Sequence, residues 1–196
     1  MKVNDNRKLY RSVYHLKPGA IEEVEVPSLH FIVQEGKGKL NSLGQPEEEH
    51  WVVWKTVNQL KRITKERSGY QFKLMPHEIV WHENIGEDEW SYTQMMQVPD
   101  VITFEMYDEA SACVQTRYRD EIVPATNFVT YKQGLCIQKL HVGHYRESMK
   151  TVEELKNYAE SHGYKVSGGR REVYLNQPGC NPAHRWETIV RLQVGE

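Results

Sequence analysis

The spacing of hydrophobic positions changes period several times along the chain. Leu29-His30-Phe31-Ile32-Val33-Gln34 is rich in β formers and runs into Gly36 and Gly38, which predicts a strand. Gly38 to Pro46 reads as a loop. From Glu47 to about Arg67 the spacing becomes helical: Trp51, Trp54, Val57, Leu60 and Ile63 recur every third position, and Val53 thickens the stripe. Glu47-Glu48-Glu49 ahead of this stretch and Lys61, Arg62, Lys65 and Arg67 at its end complement a helix dipole, and Gly69 stops it. His77 to Glu83 and Trp90 to Val98 then read as strands, separated by the turn Gly86-Glu87-Asp88 and closed by Pro99-Asp100. Val101 to about Tyr118 predicts a helix with Met106, Ala110, Cys113 and Val114 on one face.

The second half follows the same order. Leu135 to Leu140 predicts a strand ending near Gly143. Thr151-Val152-Glu153-Glu154 reads as a capping box, with Val152, Leu155, Tyr158 and Ala159 as the apolar stripe behind it and Gly163 as the terminal glycine. Arg171 to Asn176 is a predicted strand, Gln177-Pro178-Gly179 a loop, and Trp186 to Val194 the last strand. His77-Glu78-Ile79-Val80-Trp81 and Arg171-Glu172-Val173-Tyr174-Leu175 even look alike, so Glu78 and Glu172 are expected in matching places. The fold class expected is α+β. Two tandem strand–helix–strand–strand modules, related by a pseudo-two-fold axis, form an antiparallel sheet with helices on one face and a central cleft. One domain is expected over 1–196: an N-terminal arm at 1–25, module one at about 26–100, a linking helix at 101–118 and module two at about 126–196.

Composition narrows the function. The 196 residues carry a net charge of −2, which argues against a partner bound through phosphate neutralisation, so no nucleic acid is expected. Apolar runs are only a few residues long, so no membrane span is expected, and an N-terminus without an apolar core suggests a cytoplasmic protein. Three cysteines without a C-x-x-C pair do not suggest a disulfide framework. His77/His82 and His141/His144 fall five and three apart, spacings that point to opposite faces of a strand, so no metal is expected, and no cofactor-binding motif occurs. The chain carries 5 Trp, 11 Tyr and 4 Phe.

The chain resembles GyrI-like small-molecule-binding proteins. The resemblance rests on Gly134-Leu135-Cys136-Ile137-Gln138-Lys139-Leu140-His141-Val142-Gly143-His144-Tyr145, similar to a strand ending in His-x-Gly-Pro-Tyr, with His144 in place of Pro. It rests also on Glu172-Val173-Tyr174-Leu175 before Pro178, and on Thr188 to Val194, with Gln193 in place of a common Pro. Leu9-Tyr10, Val26-Pro27, Pro76 to Trp81, Trp90-Ser91-Tyr92 and Pro99-Asp100 resemble the stand-alone, full-length subfamily. The resemblance implies two SHS2-type modules around a pocket for bulky, often aromatic ligands. For the stand-alone subfamily it implies hydrolysis of yatakemycin-type cyclopropanoid DNA alkylators in an aromatic cage. A cationic-drug site is disfavoured, because Thr188-Ile189-Val190 lacks the Glu that the family's regulators place there.

Trp54, Trp81, Trp90, Tyr92 and Tyr145 are therefore the expected substrate-binding residues, as rings that stack on a planar ligand and stabilise developing positive charge. Glu172 and Glu78 are candidate general bases on water, with pKa values raised by an aromatic surround, and Tyr174 a candidate donor to a ligand oxygen that gains charge. The bland reading of each is a packed core ring or a structurally paired carboxylate. Three functions compete: a hydrolase, a non-catalytic drug-sequestering or ligand-sensing protein, and a protein whose cleft binds another polypeptide. Oligomeric state is left open by the sequence.

Overall fold

The structure is a computed structural model that describes residues 3–47, 51–176 and 180–195. Helical turns α1 (Asn6–Leu9) and α2 (Arg11–Tyr14) precede the long strand β1 (Ile21–Lys39). Then come α3 (Trp51–Ser68), β2 (His77–Gly86), β3 (Glu89–Val98), α4 (Phe104–Arg117) and β4 (Asn127–Val142). A 3-10 turn (Tyr145–Glu147) leads into α5 (Ser148–Ser161), followed by β5 (Lys165–Tyr174), a second 3-10 turn (Ala183–Arg185) and β6 (Glu187–Gly195). Strand, helix, strand and strand thus follow one another twice, once on either side of α4.

The expected α+β class with an antiparallel sheet is present, and the sheet closes. Its order is β1-β3-β2-β5-β6-β4, with β4 returning to β1, and every pair is antiparallel. Closure rests on β1, which pairs along both of its edges. It pairs with β3 from His30 opposite Val98 to Lys39 opposite Glu89, and with β4 from Ile21 opposite Lys139 to Val33 opposite Asn127, and the two ladders overlap at residues 30–33. The strand runs on past these residues in either direction. The stretch before them is Ile21-Glu22-Glu23-Val24-Glu25-Val26, expected as the end of the arm up to Glu25; only Val24 and Val26 of it are buried.

The helices pack outside the barrel. Val53, Val57, Leu60 and Ile63 of α3 are buried as the period predicted, whereas Trp54 turns toward one flank and stays 41% exposed. Glu48 and Glu49, read as the start of this helix, lie outside the described residues, as does the loop at Gln177-Pro178-Gly179. On α5, Val152, Leu155 and Ala159 pack against Ile137, Val190, Leu192 and Val194. The capping-box reading is corrected: α5 begins at Ser148, so Thr151 lies within it and its hydroxyl pairs with His141 Nδ1 at 3.0 Å, while Glu154 pairs with Lys139. Gly163 does end the helix, with φ +73.

The arm closes the barrel rather than merely packing on it. Tyr14 inserts its ring and donates to Glu78 Oε1 at 2.8 Å, and Asn6 donates to Gln97 Oε1 at 2.9 Å. The carbonyls of Ser12 and Val13 accept from Gln138 and Arg191.

Candidate functional site

A cavity of about 550 Å³ lies where the two halves of the chain meet. The first half contributes Trp54 from α3, Met75, Pro76 and His77 at the start of β2, Gln94 and Met96 from β3, and Asn41, Leu43, Gln45 and Pro46 from the loop after β1. The second half contributes Tyr145 and the end of β5 with Tyr174, Leu175 and Asn176, and Arg7 of α1 reaches the rim. Rings and aliphatic chains provide flat apolar wall, and the carboxamides of Asn41, Gln45, Gln94 and Asn176 provide groups that both donate and accept. No carboxylate lines this cavity among the described residues.

Of the residues expected to bind substrate, Trp54 and Tyr145 line the cavity, as does Tyr174. Trp81, Trp90 and Tyr92 do not; they belong to the aromatic cluster that adjoins it. Register explains this. Trp81 stands opposite Tyr92 on β3, and Gly36 of β1 opposite Tyr92 on the other side. Tyr92 lies over Gly36 so closely that a Cβ there would sit 2.5 Å from its ring. Trp81 meets Tyr92 and Trp90 edge-on, each at 6.0 Å, and Arg170 covers Trp81 and Trp90 at 5.2 and 4.9 Å. These rings support the wall from behind. Nearer the cavity, Tyr145 packs against Tyr174 at 4.9 Å and Trp186 at 4.7 Å.

Glu172 is the polar centre of this cluster. Its Oε2 accepts from the Tyr174 hydroxyl at 2.6 Å and Trp81 Nε1 at 2.9 Å, and its Oε1 from the Ser148 hydroxyl at 2.7 Å and Arg170 Nε at 3.3 Å. Glu172 is buried and does not line the cavity, which corrects its expected place as a base in direct contact with a bound molecule. The cavity meets it only through Tyr174. Burial, then the Glu172 charge, push the Tyr174 hydroxyl well above the ordinary tyrosine range. The same two causes in the same order push Tyr145 up to about 12. Both phenols are therefore neutral near pH 7: Tyr174 spends its proton on Glu172, and Tyr145 spends its own on the Asn176 carbonyl at 3.2 Å. The Tyr174 oxygen keeps lone pairs with which to accept.

Glu78 does not belong to this site. Glu78 stands opposite Val173 in the β2–β5 ladder and Glu172 opposite Ile79, so successive positions place the two carboxylates on opposite faces of the sheet. Glu78 points into the barrel, where it accepts from Tyr14 and from Arg171 Nη1 at 2.9 Å. Arg191 lies in the same interior, held by Gln138 at 2.9 Å and the Val13 carbonyl. Burial lowers the Arg191 pKa and raises that of Tyr14. The expectation that Glu78 and Glu172 occupy matching places is corrected by this register.

Sequence reasoning weighed His77 only as a metal ligand and did not single out the other residues of the site. His77 stacks on Tyr174 with centroids 5.7 Å apart, and Gln94 forms part of the floor. Arg170 appears in the sequence only as half of a basic pair, and Ser148 precedes the residue read as the helix cap. Their nearness to Glu172 is set by the pairing of β2 with β5 and by the turn before α5, neither of which has a local sequence signal.

The molecule is thus a closed antiparallel barrel with outer helices and a cavity between its halves. The chain belongs to the GyrI-like family: the family model for the GyrI-like small molecule binding domain matches residues 20–194. An uncharacterized conserved protein from Listeria innocua is similar at 25% identity, over 99% of this chain and 100% of that one, with a TM-score of 0.84. Two further Listeria innocua structures, each described as a hydrolase, have the same fold. One is 24% identical with a TM-score of 0.82 and the other 22% identical with a TM-score of 0.84; both cover 99% of this chain and 100% of their own. No curated protein matches the sequence.

Proposed function

We propose that the protein binds a bulky aromatic small molecule in the 550 Å³ cavity and hydrolyses electrophilic cyclopropanoid DNA-alkylating compounds by adding water. One observation carries the catalytic part: the Tyr174 hydroxyl on the cavity wall is 2.6 Å from the buried carboxylate of Glu172. In this reading a water oxygen bonds to a ring carbon of the ligand. The strained C–C bond breaks and its electron pair moves into the conjugated carbonyl. The water gives its proton to the Tyr174 oxygen as the Tyr174 proton passes to Glu172, and the proton returns to the ligand oxygen, so that one water is added overall. Trp54, Tyr145 and Tyr174 hold the flat ligand and shield the carbon that develops positive character, with Trp81, Trp90 and Tyr92 bracing them. Glu78 has no part in these steps. The hydrolase names of two structures with this fold agree with the proposal. In the same reading residues 26–100 and 126–196 are two modules of one domain, joined by α4.

A second reading, a non-catalytic drug-sequestering or ligand-sensing protein, is favoured by the four donors that already occupy both oxygens of Glu172. Incubation with an excess of a yatakemycin-type cyclopropanoid, followed by chromatography and mass spectrometry, separates the two. Many equivalents of a product heavier by one water establish turnover. Unchanged compound bound at about one per chain selects the second reading.

A further inference from the structure

Arg146 joins the two halves beside the cavity. It follows Tyr145, which lines the cavity, and its guanidinium leaves the second half for the first. Nη2 donates to the Asn41 carbonyl at 2.9 Å, Nε to the Ser42 carbonyl at 3.3 Å, and Nη1 reaches Asp88 Oδ1, in the turn between β2 and β3, at 3.4 Å. Its stem passes over Gly44, where a Cβ would lie 2.7 Å from Arg146 Cγ and where φ is +82. The loop it grips supplies Asn41, Leu43, Gln45 and Pro46 to the cavity wall. Within that loop, the Asn41 side chain accepts from the amides of Leu43 at 2.9 Å and Gln45 at 3.2 Å, so the bond to the Asn41 carbonyl holds an already folded unit. The loop's tie to β3 runs through the Leu40 amide, which donates to the carbonyl of the same Asp88.

We propose that Arg146 is a positioning residue: it latches the 40–47 loop to the Tyr145 turn and so sets the width of the cavity mouth and the residence time of a bound ligand. The ligand half of this proposal rests on the small-molecule reading above; the latch itself does not. A guanidinium can reach three acceptors in fixed directions, whereas an ammonium is a single point of donation. A Lys at this position keeps the charge beside Asp88 but cannot hold both loop carbonyls and the carboxylate together.

Two measurements test it. The first is amide hydrogen exchange of the ligand-free protein, read at Leu43, Gly44 and Gln45. Exchange about tenfold faster or more in Arg146→Met, which retains the stem over Gly44, and in Arg146→Lys is expected, with the β2–β5 amides unchanged. The second is stopped-flow dissociation of 4-amino-1,8-naphthalimide, a neutral planar fluorescent probe. Both variants are expected to release it about tenfold faster, with thermal midpoints within a few degrees of the parent. Unchanged exchange in Arg146→Met overturns the latch. So does an Arg146→Lys variant that matches the parent, because charge alone would then suffice. Faster exchange in a protein that binds no probe supports the latch and counts instead against a planar aromatic ligand for the cavity. Faster exchange with unaltered release overturns the claim that the latch sets residence time.

Discussion

Glu78 and Glu172 lie on adjacent strands, one residue out of step: Glu78 opposite Val173, Glu172 opposite Ile79. That single step sends one carboxylate into the barrel and the other outward, to the aromatic cluster beside the cavity. Two residues that look equivalent in the sequence therefore have different partners, and substitutions at them should have different consequences.

Glu78 is a matter of stability. It is the carboxylate that Arg171 and Tyr14 share in the closed interior. Removing it leaves a buried guanidinium without its counter-charge, which costs about 3–5 kcal/mol for pairs of this kind. Glu78→Ala should lower the denaturant midpoint accordingly, and Tyr14→Phe should cost about 1 kcal/mol through one lost hydrogen bond. Chemical denaturation monitored by tryptophan fluorescence measures both.

In the proposed reaction, Tyr174 is a matter of chemistry. Tyr174→Phe retains the ring against Tyr145 and His77 but removes the route from the cavity to Glu172. The rate of water addition should fall by about a hundredfold or more, with ligand affinity changed less than about threefold. An unaltered rate in single-turnover kinetics would remove Tyr174 from the mechanism.

Trp54 should affect binding but not folding, since it is half exposed on the cavity wall. Trp54→Ala should weaken a planar aromatic ligand by about five- to tenfold while the unfolding midpoint stays within about 1 kcal/mol of the parent. Fluorescence titration and denaturation of the same sample check the two halves of this expectation.

Alkaline pH should destabilise the protein. An unfolded tyrosine ionises near pH 10, whereas Tyr145 in the fold does so only near 12, and Tyr174 and Tyr14 are also raised. Between these values the unfolded chain binds fewer protons than the folded one. Stability is thus fully present below about pH 10 and falls as pH rises toward about 12. Denaturation midpoints at increasing pH should show this decline, and Tyr145→Phe should make it shallower.

Gly169 is required by a close approach of two strands. A Cβ there would lie 2.2 Å from the carbonyl oxygen of Trp81 and 2.9 Å from Val80 Cγ1. Gly169→Ala should force β5 away from β2 beside the Trp81–Glu172 bond and cost about 1–3 kcal/mol. Thermal unfolding checks it.

The sequence by itself determined much of the secondary structure, because periodicity is a local property. The α3 stripe of Val53, Val57, Leu60 and Ile63, the strands at 77 and 90, and the glycine end of α5 at Gly163 are all written in consecutive residues. It also carried the family, through the His141 to Tyr145 and Glu172 to Leu175 stretches. Tertiary structure alone decided the rest. Whether the sheet closes depends on β1 pairing along both of its edges, which its own residues do not declare. Which carboxylate lies behind the cavity wall depends on register between β2 and β5, which are some ninety residues apart in the chain; a strand has two faces, and its own sequence does not say which one a distant neighbour will cover. The reach of Arg146 to Asn41, Ser42 and Asp88 has the same origin: those acceptors are backbone and turn groups, brought within reach only when the barrel is complete.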